Sequence, residues 1–380
     1  MVILSAILGV ALIVIILWDA FETIVLPRRV TRRVRLTRFF FRYTWLPWSA
    51  LVRFVFSPKR QETYLGFYGP LSLLLLLIVW ATGLIFGFAL LHSVSWSTVI
   101  GTGGIPSFTR DLYLSGTTFF TLGLGDVIPH TPMARVLTAV EAGIGFGFLA
   151  LVIGYLPALN QSFSRREVDI SLLDSRAGSP PTAAEMLRRH SHEEGLESLR
   201  RLLSDWEIWS AELLESHLSY PMLAYFRSQH DNQSWLGALT AILDTCALIM
   251  TCLGGACERQ AELTFAIARH AIVDLAVIFR QPPREPQNDR LPLAQLKDLR
   301  TMAAASGLRL REGSADEQKL IELRQMYEPY VYSLSNYFGF ALPGWIPEGS
   351  LTDNWQTSAW GTSSGIRRAD RSHGAKSKHF

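Results

Sequence analysis

The chain has 380 residues, 49% of them hydrophobic and 18% charged, with 36 Lys and Arg set against 33 Asp and Glu. A formal charge of +3 excludes a polycation built for nucleic acid, and three cysteines in one region, Cys246, Cys252 and Cys257, exclude a disulfide framework. The length allows two domains, and the composition divides the same way: long apolar runs fill roughly the first 160 residues, and a charged, helical pattern follows.

Residues 1–18 form an apolar run long enough to cross a bilayer, closed by Asp19 and Glu22. A cleaved signal peptide would carry positive charge before the run and small residues after it. Here the arginines follow, and Trp18-Asp19-Ala20-Phe21 is a poor cleavage site, so a retained helix is expected. Arg29, Arg32, Arg35 and Arg38 then recur at every third position. The spacing resembles a voltage-sensing helix, but no acid-bearing partner helices precede it. With Phe39, Phe40, Phe41, Tyr43, Trp45 and Trp48 beside them, the four arginines read as an interfacial segment facing anionic lipid. Pro47 and Pro58 argue against one continuous helix there.

Two further spans are expected at about 65–91 and 133–159. Basic residues mark the cytoplasmic side. That rule puts the N-terminus outside and the arginine segment inside. Everything after the third span, where Arg165 and Arg166 stand, is then cytoplasmic. The segment joining spans two and three faces outside. It holds a run of about ten helical residues ending at Phe120, then Thr121-Leu122-Gly123-Leu124-Gly125-Asp126, then Pro129. A helix that short cannot cross a hydrocarbon core, so it must enter and return, with its non-helical continuation satisfied by protein or water. Gly123 and Gly125 allow backbone conformations closed to other residues, so successive carbonyls can point one way. A ring of such carbonyls, with the Thr121 hydroxyl, can replace the hydration shell of a bare cation.

Thr-Leu-Gly-Leu-Gly-Asp between two apolar spans, behind a short helix and ahead of Pro129, resembles the pore module of potassium channels. The resemblance covers about 65–159, less than a third of the chain. It implies a fourfold bundle, hence a homotetramer, with Thr121, Leu122, Gly123, Leu124 and Gly125 as the selectivity filter. Leu124 stands where the commonest filter has Tyr, which resembles the second pore segment of two-pore-domain channels. Phe120 stands where a second Thr often precedes the filter, and Thr117 where some members have a buried Glu. By the same resemblance Gly145 falls at the gating-hinge glycine of the inner helix. Gly143, Gly145 and Gly147 equally suit close helix packing. Asp126 would ring the outer mouth and attract cations, or pin the filter through a hydrogen bond. Glu141, ionisable within an apolar span, would line the cavity or bond behind the filter.

The second half reads as all-α. Ser179-Pro180-Pro181-Thr182 interrupts the chain, and Thr182 with Glu185 forms a capping box. Helices are expected at about 193–219, 233–253, 258–279, 293–306 and 314–332. Residues 235–253 are apolar enough to be questioned as a fourth span, but Asp244 in their middle favours a buried core helix. No Gly-x-Gly-x-x-Gly pattern and no cyclic-nucleotide-binding pattern stands out. From about Gly344 the composition reads as a disordered tail.

The fold class expected is an all-α membrane protein with three transmembrane helices, a re-entrant pore helix and filter, and an all-α cytoplasmic domain. Its divisions are 1–20, 21–64, 65–160, 161–343 and 344–380. The function expected is a potassium-selective channel gated at the inner helix. Alternatives are a weakly selective monovalent cation channel or a non-conducting receptor or scaffold. No His-Glu-x-x-His-like arrangement points to an intramembrane enzyme. No cofactor and no metal beyond permeant K+ is expected; the partners are lipids and further copies of the chain.

Overall fold

A computed structural model describes residues 2–26, 35–94, 107–192, 194–230, 232–347 and 349. Among these every regular element is helical, and several helices are long and apolar enough to cross a membrane. The chain divides into two compact units, one of residues 1–164 with 215–227, the other of 165–214 with 228–380.

In the first unit α1 (Val2–Ala20) runs into a short π-turn, Phe21–Val25. Its outer residues Ile3, Leu4, Ile7 and Leu8 are exposed, as a lipid-facing surface requires. Its other face packs closely on α4 (Tyr68–Val94). The closeness depends on small residues: a Cβ at Gly9 would stand 2.8 Å from the Gly87 carbonyl oxygen, and one at Gly83 only 2.3 Å from Ile16 Cδ1. At the C-terminal end of α1 the buried Asp19 accepts hydrogen bonds from the Thr37 backbone N–H (3.1 Å), the Thr37 hydroxyl and Trp80 Nε1 (3.1 Å). One carboxylate thereby ties α1 to α4 and to the first turn of α2 (Leu36–Val55), where a helix N-terminus favours negative charge.

The segment is two helices and not one, as expected, but α2 runs unbroken through Pro47 and only Pro58 marks the break. Pro47 forfeits one backbone hydrogen bond, and burial of Phe41, Trp45 and Val52 along one face holds the helix together. The break comes at Phe56 and Ser57, and α3 (Pro58–Gly66) follows, with Pro58 at its first turn. The opposite face of α2 exposes Phe39, Tyr43, Leu46, Leu51 and Phe54, spaced as one helical stripe. Arg29 and Arg32 lie outside the described residues. Arg35 turns toward protein, 3.4 Å from Glu22 and donating to Thr23 Oγ1 at 3.2 Å, rather than reaching out on its own. Arg38 is half-buried at the start of α2.

The short helix α5 (Phe108–Phe119) precedes the non-helical segment that holds Thr121 to Asp126, and α6 (Pro132–Ala177) follows it. Helix α6 continues well past the expected end of the third span and carries Pro157 within it. Residues 215–227 return to this unit from far along the sequence. They comprise the end of α8 (Gly195–Ser219) and a 3-10 turn, Pro221–Tyr225. Tyr225 stacks on Phe41 (centroids 5.6 Å apart) and meets Trp45 and Tyr68, each at 5.2 Å. Arg227 pairs with Glu62 of α3 at 2.5 Å. Tyr155 of α6 donates to Met222 Sδ, and Phe163 packs on Phe226 at 5.6 Å. Gly69 is obligatory beneath that ring, because a Cβ there would stand 2.7 Å from Phe226 Cδ2.

The second unit is built around α9 (Trp235–Leu248), every residue of which is buried. Ser234 caps it by accepting from the Gly237 N–H at 2.9 Å. Asp244 in its middle is paired: Arg290 Nη2 lies 2.6 Å from Oδ2, and the Tyr327 hydroxyl donates to Oδ1 at 2.5 Å. This segment is therefore a core helix enclosed by protein, as its central acid implied. Around it lie α7 (Ala183–Arg189), α10 (Glu258–Ile278), α11 (Leu293–Ala305), α12 (Ser314–Gln325) and α13 (Glu328–Phe338). Only half of the expected capping box forms: Thr182 accepts from the Glu185 N–H at 3.3 Å, but the Thr182 N–H donates to the Ala177 carbonyl and the Glu185 carboxylate turns to Arg188 and Arg189. The single helix expected over 314–332 is two helices, because Pro329 in the first turn of α13 cannot continue the helix before it. The tail expected to be disordered from Gly344 begins with ordered packing. Trp345 is fully buried, its carbonyl accepts from Ala184 N–H at 3.0 Å, and Arg324 lies 5.6 Å over its ring. Residues 350–380 lie outside the described residues.

Glu185 of α7 makes this unit sensitive to acid. Its burial opposes ionisation, but hydrogen bonds from Arg188 and Arg189 outweigh that and hold the carboxyl below its ordinary value of 4.5. A depressed carboxyl stabilises the fold above the unfolded value and loses that contribution as pH falls through the folded one. Melting followed by circular dichroism should therefore drop on acidification below pH 4.5. Glu185→Gln should flatten the drop by on the order of 2 °C.

Candidate functional site

The candidate site begins at the C-terminal end of α5, where the negative end of a helix dipole meets the chain that follows. The last turn of α5 does not simply fray. Phe120 N–H donates to Gly116 O (3.2 Å), Thr121 N–H to Thr118 O (2.9 Å) and Leu122 N–H to Thr117 O (2.7 Å). These bonds fix the direction in which the next residues leave the helix.

Over the next five residues the backbone handedness alternates. Thr121, Gly123 and Gly125 have φ of 57°, 55° and 78°, while Leu122 and Leu124 between them do not enter the left-handed region. Gly takes such a conformation freely. For Thr121, which is β-branched, it is a genuine outlier of the kind that is held only where the surroundings demand it. A strand with alternating handedness turns successive carbonyls toward one side, the arrangement a cation-coordinating wall needs. The predicted filter residues Thr121, Leu122, Gly123, Leu124 and Gly125 thus form one contiguous strand. In the single chain Phe120, Leu122 and Leu124 are 60–64% exposed, an apolar surface that asks for neighbours.

Asp126 closes the strand, and its Oδ2 accepts from the Tyr113 hydroxyl on α5 at 2.9 Å. Of the two roles open to Asp126 in the sequence, the hydrogen-bonded one has a partner within the chain. The bond spans the filter, because Tyr113 precedes it on the helix and Asp126 follows it.

Glu141 of α6 is fully buried. It meets His92 of α4 and Ser115 of α5, and so takes the bonded of its two placements and not the cavity-lining one. Gly145, one turn further along α6, is also buried. At this residue, where the resemblance implied a hinge, α6 is continuous. What the position requires is the absence of a side chain: a Cβ would stand 2.1 Å from the Phe119 carbonyl oxygen. Gly143 and Gly147 have open space within the chain. Tyr113, Ser115 and His92 had no part in the sequence-based site. The partner of Ser115 and His92 lies on α6, and that of Tyr113 lies beyond the end of α5, so no local spacing could have singled them out.

A family profile described as "Ion channel" matches residues 74–161, which take in most of α4, α5, the segment Thr121 to Asp126 and the first part of α6. The uncharacterized membrane protein YdjJ of Bacillus subtilis (strain 168) is 26% identical over 186 residues. That alignment covers 47% of this chain and 52% of YdjJ, so the chain spans about half the length of the curated relative it matches. No solved structure matches. A helical membrane protein whose pore-like segment carries the ion-channel profile is what the geometry and the comparisons together support.

Proposed function

We propose that the chain is one subunit of a homotetrameric, potassium-selective channel. The observation that carries this reading is the alternation of left-handed backbone at Thr121, Gly123 and Gly125. One strand supplies one carbonyl per level, so a closed coordination cage needs four strands about an axis. The exposed Phe120, Leu122 and Leu124 beside the strand, and the exposed Val136, Val140, Phe146 and Ile153 on α6, supply apolar surface for such an assembly. Hydrated cations would enter from the cytoplasmic side, shed water at Thr121 and pass in file between carbonyl rings. The basic segment and Arg165 support an external N-terminus with the helical unit in the cytoplasm. Lipid chains would cover the apolar stripe of α2, and anionic headgroups would meet the basic segment that includes Arg29, Arg32 and Arg38.

Purified protein reconstituted in potassium-loaded liposomes tests the reading. Flux that favours potassium over sodium and is blocked by barium is expected. Gly123→Ala should remove at least about nine-tenths of it, since each subunit then holds a Cβ in the left-handed region at a cost of about 1–2 kcal/mol. Equal sodium flux would favour a weakly selective pore, the reading that Leu124 supports because its side chain offers no hydroxyl to brace the strand. Absence of flux with an intact tetramer would favour a receptor or scaffold.

A further inference from the structure

Carbonyl coordination makes no use of the polar cluster behind the pore helix. His92, Ser115 and Glu141 are each 0% exposed, although they come from three different helices. Glu141 Oε2 lies 3.0 Å from His92 Nε2 on α4, and its Oε1 accepts from the Ser115 hydroxyl on α5. Ser115 Oγ also lies 2.7 Å from the Ile85 carbonyl of α4. A single carboxylate therefore joins the two spans that flank the filter to the short helix that carries it.

Three apolar side chains would fill this space more cheaply, because a buried ionisable group loses its hydration. What they could not do is fix α5 against sliding, since dispersion contacts are nearly indifferent to small shifts along a helix, whereas hydrogen bonds are directional. The contact of Phe119 with Gly145 acts one turn further along both helices. It limits how closely α5 approaches α6 but does not set its height. The filter strand starts from the carbonyls of Thr117 and Thr118, immediately beyond Ser115. Any displacement of Ser115 is passed directly to the Thr121 level.

We propose that His92, Glu141 and Ser115 form a positioning clamp that holds the pore helix at one height and thereby sets the cation selectivity of the filter. The inference rests on the carbonyl-filter reading and assigns its specificity to residues outside the strand. With Leu124 offering no hydroxyl, alignment of the strand comes from the Tyr113–Asp126 bond on its outer side and from this clamp at its root.

The test uses full-length protein in liposomes, with the potassium-to-sodium flux ratio measured beside thermal melting and oligomer elution. Glu141→Gln keeps an amide oxygen for Ser115 and an amide N–H for a His92 ring nitrogen, so its ratio should stay within about twofold of the parent. Ser115→Ala removes one hydroxyl, and Glu141→Leu removes the clamp while filling its volume. Each should lower the ratio by about tenfold, or about 1.4 kcal/mol of lost discrimination, with barium-sensitive potassium flux retained. Folded Ser115→Ala and Glu141→Leu proteins with the parent's ratio would overturn the clamp while leaving the channel reading intact. Should Glu141→Leu fail to fold, the one-atom change in Ser115→Ala decides. Failure of both to fold would assign the cluster to cohesion alone and overturn the proposal. A parent protein without flux would overturn the channel reading and the clamp with it.

Discussion

Gly145→Ala is expected to prevent assembly of a conducting protein, whereas Gly143→Ala should be tolerated within the chain. At position 145 the added carbon would stand 2.1 Å from the Phe119 carbonyl oxygen, and neither α5 nor α6 can relieve that by turning a side chain. The backbones would have to separate by about 1 Å at the foot of the pore helix, a distance that close-packed interiors do not absorb without loss. A destabilisation of about 3 kcal/mol follows from overpacking against a rigid neighbour, the upper end of the usual range. Position 143 meets nothing within 4 Å. Melting temperature and oligomer elution of the two variants check the contrast. A Gly145→Ala protein with parental melting and flux would contradict it.

The second large effect lies in the helical unit. Asp244→Ala should lower its stability by about 3–5 kcal/mol, the usual result of deleting one partner of a buried ion pair. The loss is more than a contact. Arg290 would keep Glu328 at 3.0 Å and the Pro343 carbonyl at 2.8 Å, but not the carboxylate that lies closest to it. The Tyr327 hydroxyl, fully buried, would lose its acceptor. Urea unfolding followed by tryptophan fluorescence measures the change, and Asp244→Asn, which retains an acceptor, should lose less.

Much of the membrane part could be read directly from the sequence, because bilayer thickness dictates a length and the glycine alternation announces the alternating backbone found at Thr121, Gly123 and Gly125. Thr121 to Asp126 are contiguous, so their chemistry is visible in one line of text. Asp244 was also legible, since an acid in the middle of a largely apolar candidate span of 19 residues favours a partnered site in a core over lipid. What stayed hidden depends on pairs far apart in the chain. Gly145 looks the same as Gly143 and Gly147 until Phe119 is brought against it. Ser115 and His92 become notable only once Glu141 reaches both. Trp345 sits in a stretch whose composition matches disorder, yet its ring fills a space beneath Arg290 and Arg324. Pro47 misled because the penalty for a proline is local, while the burial that outweighs it is tertiary.

The return of residues 215–227 to the first unit bears on how such a protein can be taken apart or recombined. The pore-bearing unit is discontinuous in the chain: a cut after Ser164 would leave it without Tyr225, Phe226 and Arg227. Phe41, Trp45 and Tyr68 would then lose the ring they enclose, and Glu62 its cation. A chimera that exchanges everything beyond the third span is therefore mismatched at an aromatic cluster unless the 3-10 turn travels with its recipient. Inheritance of the two units is linked in the same way, since no single crossover point can separate them cleanly.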